Sequence, residues 1–85
     1  MAKYRKKPVV IEAMQLPKLD EDASDELIKF LHAGDIESDY DGGVLIHTRE
    51  GTMRGDPEDW IIKGVHGEYY PCKPDIFEAT YERIA

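Results

Sequence analysis

The run from Trp60 to Tyr81, WIIKGVHGEYYPCKPDIFEATY, constrains the fold more than any other part of the chain. It reads as a strand, a glycine turn, a second strand and a proline-started helix. Asp59 to Val65 is rich in β-branched and aromatic residues, and Glu68 to Cys72 follows after His66-Gly67. A two-residue loop fixes the register of a hairpin. Here it predicts Val65 opposite Glu68, Lys63 opposite Tyr70 and Ile61 opposite Cys72, all on one face. Trp60, Ile62, Tyr69 and Pro71 take the other face, with Gly64 opposite Tyr69 to leave room for its ring. Pro74 suits the first position of a helix, because its missing N–H is not needed there. Ile76/Thr80 and Phe77/Tyr81 are i, i+4 pairs. Tyr81 to Ile84 can leave the helix as an edge strand.

Upstream, Tyr4 to Leu16 reads as a strand that begins near Pro8. Its two faces, Val10, Glu12, Met14, Leu16 and Val9, Ile11, Ala13, Gln15, are both substantially apolar. That pattern predicts a central strand, or one covered on both sides. A helix is expected from Ser24 to Ala33. Asp22 or Ser24 is its cap; Ala23, Leu27, Phe30 and Leu31 face the sheet. Gly34 is the expected left-handed C-terminal residue. Val44 to Thr48 reads as a strand that turns through Arg49-Glu50-Gly51 and returns over Thr52 to Arg54, before a turn at Asp56-Pro57. The expected fold class is therefore α+β: a small, mostly antiparallel sheet of about four to six strands, one main helix and a short C-terminal helix, in a single domain spanning 1–85.

Size and charge narrow the function. A chain of 85 residues buries only about 60–65% of its unfolded surface, so its core is thin. A thin core without staples makes a homo-oligomer the expected state. The lone Cys72 excludes an internal disulfide framework and favours the cytoplasm. No apolar run is long enough to span a bilayer, and no signal-peptide pattern follows the basic start. Net charge is −7, which disfavours long nucleic acid, where phosphate contacts dominate affinity. Lys3, Arg5, Lys6 and Lys7 cluster at the start, while Asp20, Glu21, Asp22, Asp25 and Glu26 form an acidic run at the helix entry.

No catalytic constellation is recognisable. His32, His47 and His66 match no metal-ligand spacing, and no nucleophile-elbow, P-loop or dinucleotide motif is present. Cys72 reads as a small apolar side chain beside Ile61. The expectation is a non-enzyme with no catalytic residues, no metal and no cofactor. What remains is an inventory of rings and cations. Tyr4, Arg5, Lys7, Arg54, Trp60, Lys63, Tyr70 and Lys73 are the candidate ligand-binding residues, with Arg49 and Tyr69 as further members of the set. Rings stack on nucleobases, and cations neutralise phosphate. Lys73 precedes Pro74, so its ammonium is expected near a helix N-terminus. Each ring has an equally good assignment to the core, and Trp60 a better one.

The opening KYRKKPVVIEAMQ and the closing DWIIKGVHGEYYPCKPDIFEATYE resemble a family of small phage and prophage proteins. That family typically begins like YRKKPVVIEA and ends like GVKGEFYPCKPDIFEKTYE. Pro57, Asp59, Trp60, Gly64, Gly67, Glu68, Tyr70, Pro71, Cys72, Lys73, Pro74, Asp75, Phe77 and Tyr81 match. Glu58 stands where a glycine is usual and His66 where a lysine is usual, which puts the turn before Trp60 in question and removes a charge from the hairpin tip. The resemblance implies a phage protein acting in the host bacterial cytoplasm. It further implies a role like that of nucleotide sponges, oligomeric proteins that sequester cyclic-nucleotide immune signals without cleaving them. The alternative is a protein–protein inhibitor or DNA mimic whose acidic surface docks on a host protein.

Overall fold

A computed structural model describes residues 1–39 and 41–84. The element order is β1 (Glu12–Gln15), α1 (Asp25–Ala33), β2 (Glu37–Ser38), β3 (Val44–Thr48), β4 (Gly51–Gly55), β5 (Trp60–Lys63), β6 (Tyr69–Cys72) and α2 (Pro74–Thr80). The fold class is α+β, as expected. The six strands form two antiparallel sheets of three, ordered β1-β5-β6 and β2-β3-β4.

One core lies between the sheets. Leu16, Leu27, Leu31, Val44, Ile46 and Ile61 form it, flanked by Met14, Phe30, Ile36, Met53 and Tyr69. Leu27 and Leu31 supply the apolar stripe of α1. Ser24 is the cap: its Oγ accepts from the Leu27 N–H at 3.1 Å. Ala23 precedes the helix and is exposed, so it does not join that stripe. The left-handed residue after α1 is Asp35 (φ 54°), and Gly34 sits at φ −93°. Gly34 has a different role. A Cβ there would stand 2.9 Å from three ring atoms of Tyr69, so only glycine lets that ring lie flat on the helix end.

The central strand is β5. Ile61 and Ile62 are adjacent in sequence and point to opposite faces, yet both are essentially unexposed. The first strand is not central, contrary to expectation: β1 is an edge, and only Glu12–Gln15 of the predicted Tyr4–Leu16 is paired. The cause lies in its partner. Glu12 pairs with Lys63, and the chain then turns away at Gly64, so β5 offers nothing to Ile11 or the residues before it. Residues 1–10 are all exposed and make no backbone hydrogen bond to the body among the described residues. This arm raises the radius of gyration to 13.8 Å, against about 12 Å for a compact chain of this length.

The β5–β6 hairpin differs from its expected register by one residue. Trp60 pairs with Cys72, Ile61 with Pro71, Ile62 with Tyr70 and Lys63 with Tyr69. The loop is Val65-His66-Gly67: the Gly64 N–H bonds Glu68 O at 2.7 Å, the Gly67 N–H bonds Gly64 O at 3.0 Å, and Gly67 takes φ 81°. This is the three-residue hairpin loop that ends on a left-handed glycine. A one-residue slip exchanges the faces. Lys63 and Tyr70 therefore lie on opposite faces, Cys72 sits opposite Trp60 and not beside Ile61, and Tyr69 joins the core. The residue that crosses Gly64 is Glu68, whose carboxylate occupies the space a Cβ would need.

In the other hairpin Thr48 pairs with Gly51, which leaves Arg49-Glu50 as the loop in place of the expected three residues. Beyond α2, Tyr81–Ile84 forms no strand. The outer face of the β1-β5-β6 sheet is covered by α2, where Phe77 stacks on Trp60 at 4.1 Å and 6°. Tyr81 continues that stack at 5.1 Å from Phe77.

Candidate functional site

Two groups of cations stand out, and their surroundings differ. The first is an ion-paired corner around the turn between β4 and β5. Arg54 donates from Nη1 to Asp39 at 2.5 Å, from Nη2 to Asp41 at 2.6 Å and from Nε to Asp56 at 3.0 Å. Lys73 Nζ bonds Asp56 at 2.8 Å and Asp59 Oδ2 at 2.9 Å. Asp59 is only 3% exposed and also accepts the Asp56 N–H at 2.9 Å. Asp41, then Asp56 and Asp39, hold Arg54 more firmly protonated than usual. Asp56 and then Asp59 do the same for Lys73. In return Asp41 is pulled below the usual carboxylate range by Arg54, and Asp56 by Lys73 and Arg54.

Four carboxylates against two cations leave this corner anionic. Arg54 and Lys73, both expected to meet phosphate, are already committed to protein carboxylates. The Lys73 ammonium reaches Asp56 and Asp59 and does not sit over the start of α2, although its backbone caps that helix. The corner is structural. It holds the Asp56–Asp59 turn, in which Asp59 N–H bonds Asp56 O at 3.0 Å. Glu58 occupies the third position at φ 73°, the region that favours glycine. The turn geometry questioned from the sequence is therefore kept, with strain at Glu58.

The second group lines a cleft of about 330 Å³ on the outer face of the β1-β5-β6 sheet. Its walls are Lys6 and Lys7 from the arm, the Gly64–Val65 turn, and Tyr70 and Tyr81. Lys6 Nζ lies 5.3 Å from the Tyr81 ring centroid, within cation–π range. Burial, and then a hydrogen bond with Tyr81, push the Tyr70 hydroxyl up to about 12. Tyr70 thus stays protonated at physiological pH, and both rings offer stacking planes. Glu68 forms the far lip; its Oε2 accepts the His66 N–H at 3.1 Å.

Of the sequence-derived candidates, only Lys7 and Tyr70 meet in this cleft. Tyr4 and Arg5 are exposed on the arm outside it. Trp60 is half-buried against Phe77, and its indole N–H is buried without an acceptor among the described residues. Lys63 is on the opposite face, beside Tyr69. Arg49 is exposed at the tip of the β3–β4 loop, and Tyr69 packs edge-on to Phe30 at 5.5 Å. Tyr81 was missed as a ligand candidate, and Lys6 was expected only as part of the basic segment Tyr4 to Lys7. Tyr81 carried a usable signal, its i, i+4 relation to Phe77, which puts it on the ring-stacking side of α2.

Burial, and then Asp59 and Asp75, raise the Cys72 thiol above its ordinary value, which keeps it protonated and unreactive. Among the described residues no group of three or more His, Cys, Asp or Glu side chains can hold a metal ion. No described helix is long and apolar enough to cross a membrane. No protein-family model, curated protein or solved structure matches the chain.

Proposed function

We propose that this protein is a non-enzymatic binder that sequesters a small anionic nucleotide, with the Lys6–Lys7–Tyr70–Tyr81 cleft as the site. The observation that carries the reading is the cleft in which two lysines meet two tyrosine rings. Rings take nucleobases by stacking and ammonium groups take phosphate. Its volume of about 330 Å³ suits one nucleotide unit. A cyclic dinucleotide has two such units, which a homo-oligomer with two clefts would hold. The resemblance of both chain ends to small phage proteins supports a role in removing a cyclic-nucleotide signal of host defence, in the bacterial cytoplasm.

Calorimetric titration with a panel of cyclic dinucleotides tests the reading. The expected result is saturable binding, release of unchanged ligand on denaturation, and affinity at least ~10-fold weaker in Tyr70→Ala and Lys7→Ala. A panel with no binding defeats it, and turnover of the ligand defeats its non-enzymatic part. The acidic run favours the second reading, an inhibitor of a host protein. Asp20, Glu21, Asp22, Asp25 and Glu26 are all exposed. That reading predicts a captured host protein that is lost when Asp20, Glu21 and Asp25 are changed to lysine.

A further inference from the structure

Residues 1–11 carry four cations and no acid in a chain of net charge −7, so the remainder carries −11. The arm is also apolar where it approaches the sheet: Val10 is 72% exposed and Val9 46%. Val9, Val10 and Ile11 are strong strand formers, yet β5 ends before it can pair with them. The same stretch continues into β1, whose outer edge is unpaired. Such an edge is a template for another strand unless something blunts it. Here Pro8 blunts only the far end, by its missing N–H.

We propose that Val9–Gln15 pairs antiparallel with the same segment of a second copy of this chain, across a two-fold axis, to join two three-stranded sheets into one of six. Charge favours antiparallel over parallel pairing, although Glu12 of each copy then meets the other at the axis. Antiparallel pairing carries Lys3 and Arg5 of each copy past the axis toward the other copy's acidic body. Parallel pairing would set the two basic arms side by side. A symmetric pair is also self-complementary and closes the β1 edge of both copies at once. Its strand pairing supplies the partner that the arm's backbone lacks within one chain.

This deepens the homo-oligomer part of the reading above and does not depend on the nucleotide. Sedimentation of the full chain without any ligand is expected to give twice the 9.7 kDa chain mass at tens of micromolar. Just after β1 the Leu16 N–H bonds Asp59 O, so the N–H groups of Ile11, Ala13 and Gln15 point to the free edge. Ile11→Pro removes one of those donors and is expected to give a monomer with an unchanged circular dichroism spectrum, since Ile11 makes no backbone bond to its own body among the described residues. Amide exchange at Ile11, Ala13 and Gln15 is expected to slow several-fold on association and to recover on dilution. A wild-type monomer at these concentrations overturns the proposal. So does an Ile11→Pro chain that remains dimeric, or a dimer whose Ile11, Ala13 and Gln15 amides exchange as freely as those of the monomer. None of these outcomes bears on whether the cleft binds nucleotide.

Discussion

The ion-paired corner and the arm cleft each hold two cations, and the two pairs have opposite consequences. In the corner, Arg54 and Lys73 face four carboxylates brought from the loop after β2 and the β4–β5 turn. In the cleft, Lys6 and Lys7 face rings, with Glu68 at the far lip. A cation binds an incoming anion only where its charge has not already been answered. The position of a lysine in the sequence says nothing about that, because the carboxylates that answer it come from distant residues.

Changes that break the corner should affect stability without touching ligand affinity. The largest effect is expected for Asp59→Ala. It removes the buried acceptor of both Lys73 and the Asp56 N–H, and is expected to cost about 2–4 kcal/mol in chemical denaturation. Nucleotide affinity should stay within about twofold. Tyr70→Ala should do the reverse to affinity, lowering it at least ~10-fold; Lys7→Ala should do so with stability unchanged within about 0.5 kcal/mol, since Lys7 is exposed.

Glu58→Gly sharpens the comparison from the other side. It relieves the positive φ in the corner and is expected to raise stability by about 1 kcal/mol, read as a higher denaturation midpoint. Acid should act on the corner alone. The carboxyls of Asp41 and Asp56 titrate below their ordinary 3.8 when folded. The unfolded chain therefore binds more protons, and their contribution, present above about pH 4, is lost as pH falls through the folded values. Arg54→Met should flatten that acid limb. At the other extreme, the raised Tyr70 hydroxyl means stability falls as pH rises from 10 toward about 12, and Tyr70→Phe should remove that loss in denaturation across this range.

The helices and their starts were legible in the sequence because their signals are local: Ser24 three residues before Leu27, and Pro74 at the first turn of α2. So was the existence of both hairpins. The register of β5–β6 was not. A two-residue loop of type I′ would need positive φ at both His66 and Gly67, whereas only Gly67 takes it and the Gly64 N–H closes on Glu68 O. That choice of loop decided which rings share a face, and so it decided the site. Strand propensity at Val9–Ile11 was read correctly as propensity, but a strand needs a partner of matching length, which β5 does not supply. Arg54 pairs locally with Asp56, two residues on, but its pairs with Asp41 and Asp39 span 13 and 15 residues and those of Lys73 span 14 and 17, beyond any helix or strand periodicity.

The stack of Trp60 on Phe77 gives the molecule a built-in optical reporter. Trp60 is the sole tryptophan, so intrinsic fluorescence has one source. Its environment is set by the docking of α2 as well as by the sheet. Fraying of the C-terminal helix should therefore change emission before the sheets melt, and a gap between the fluorescence and far-ultraviolet dichroism transitions would measure how independently that helix comes away.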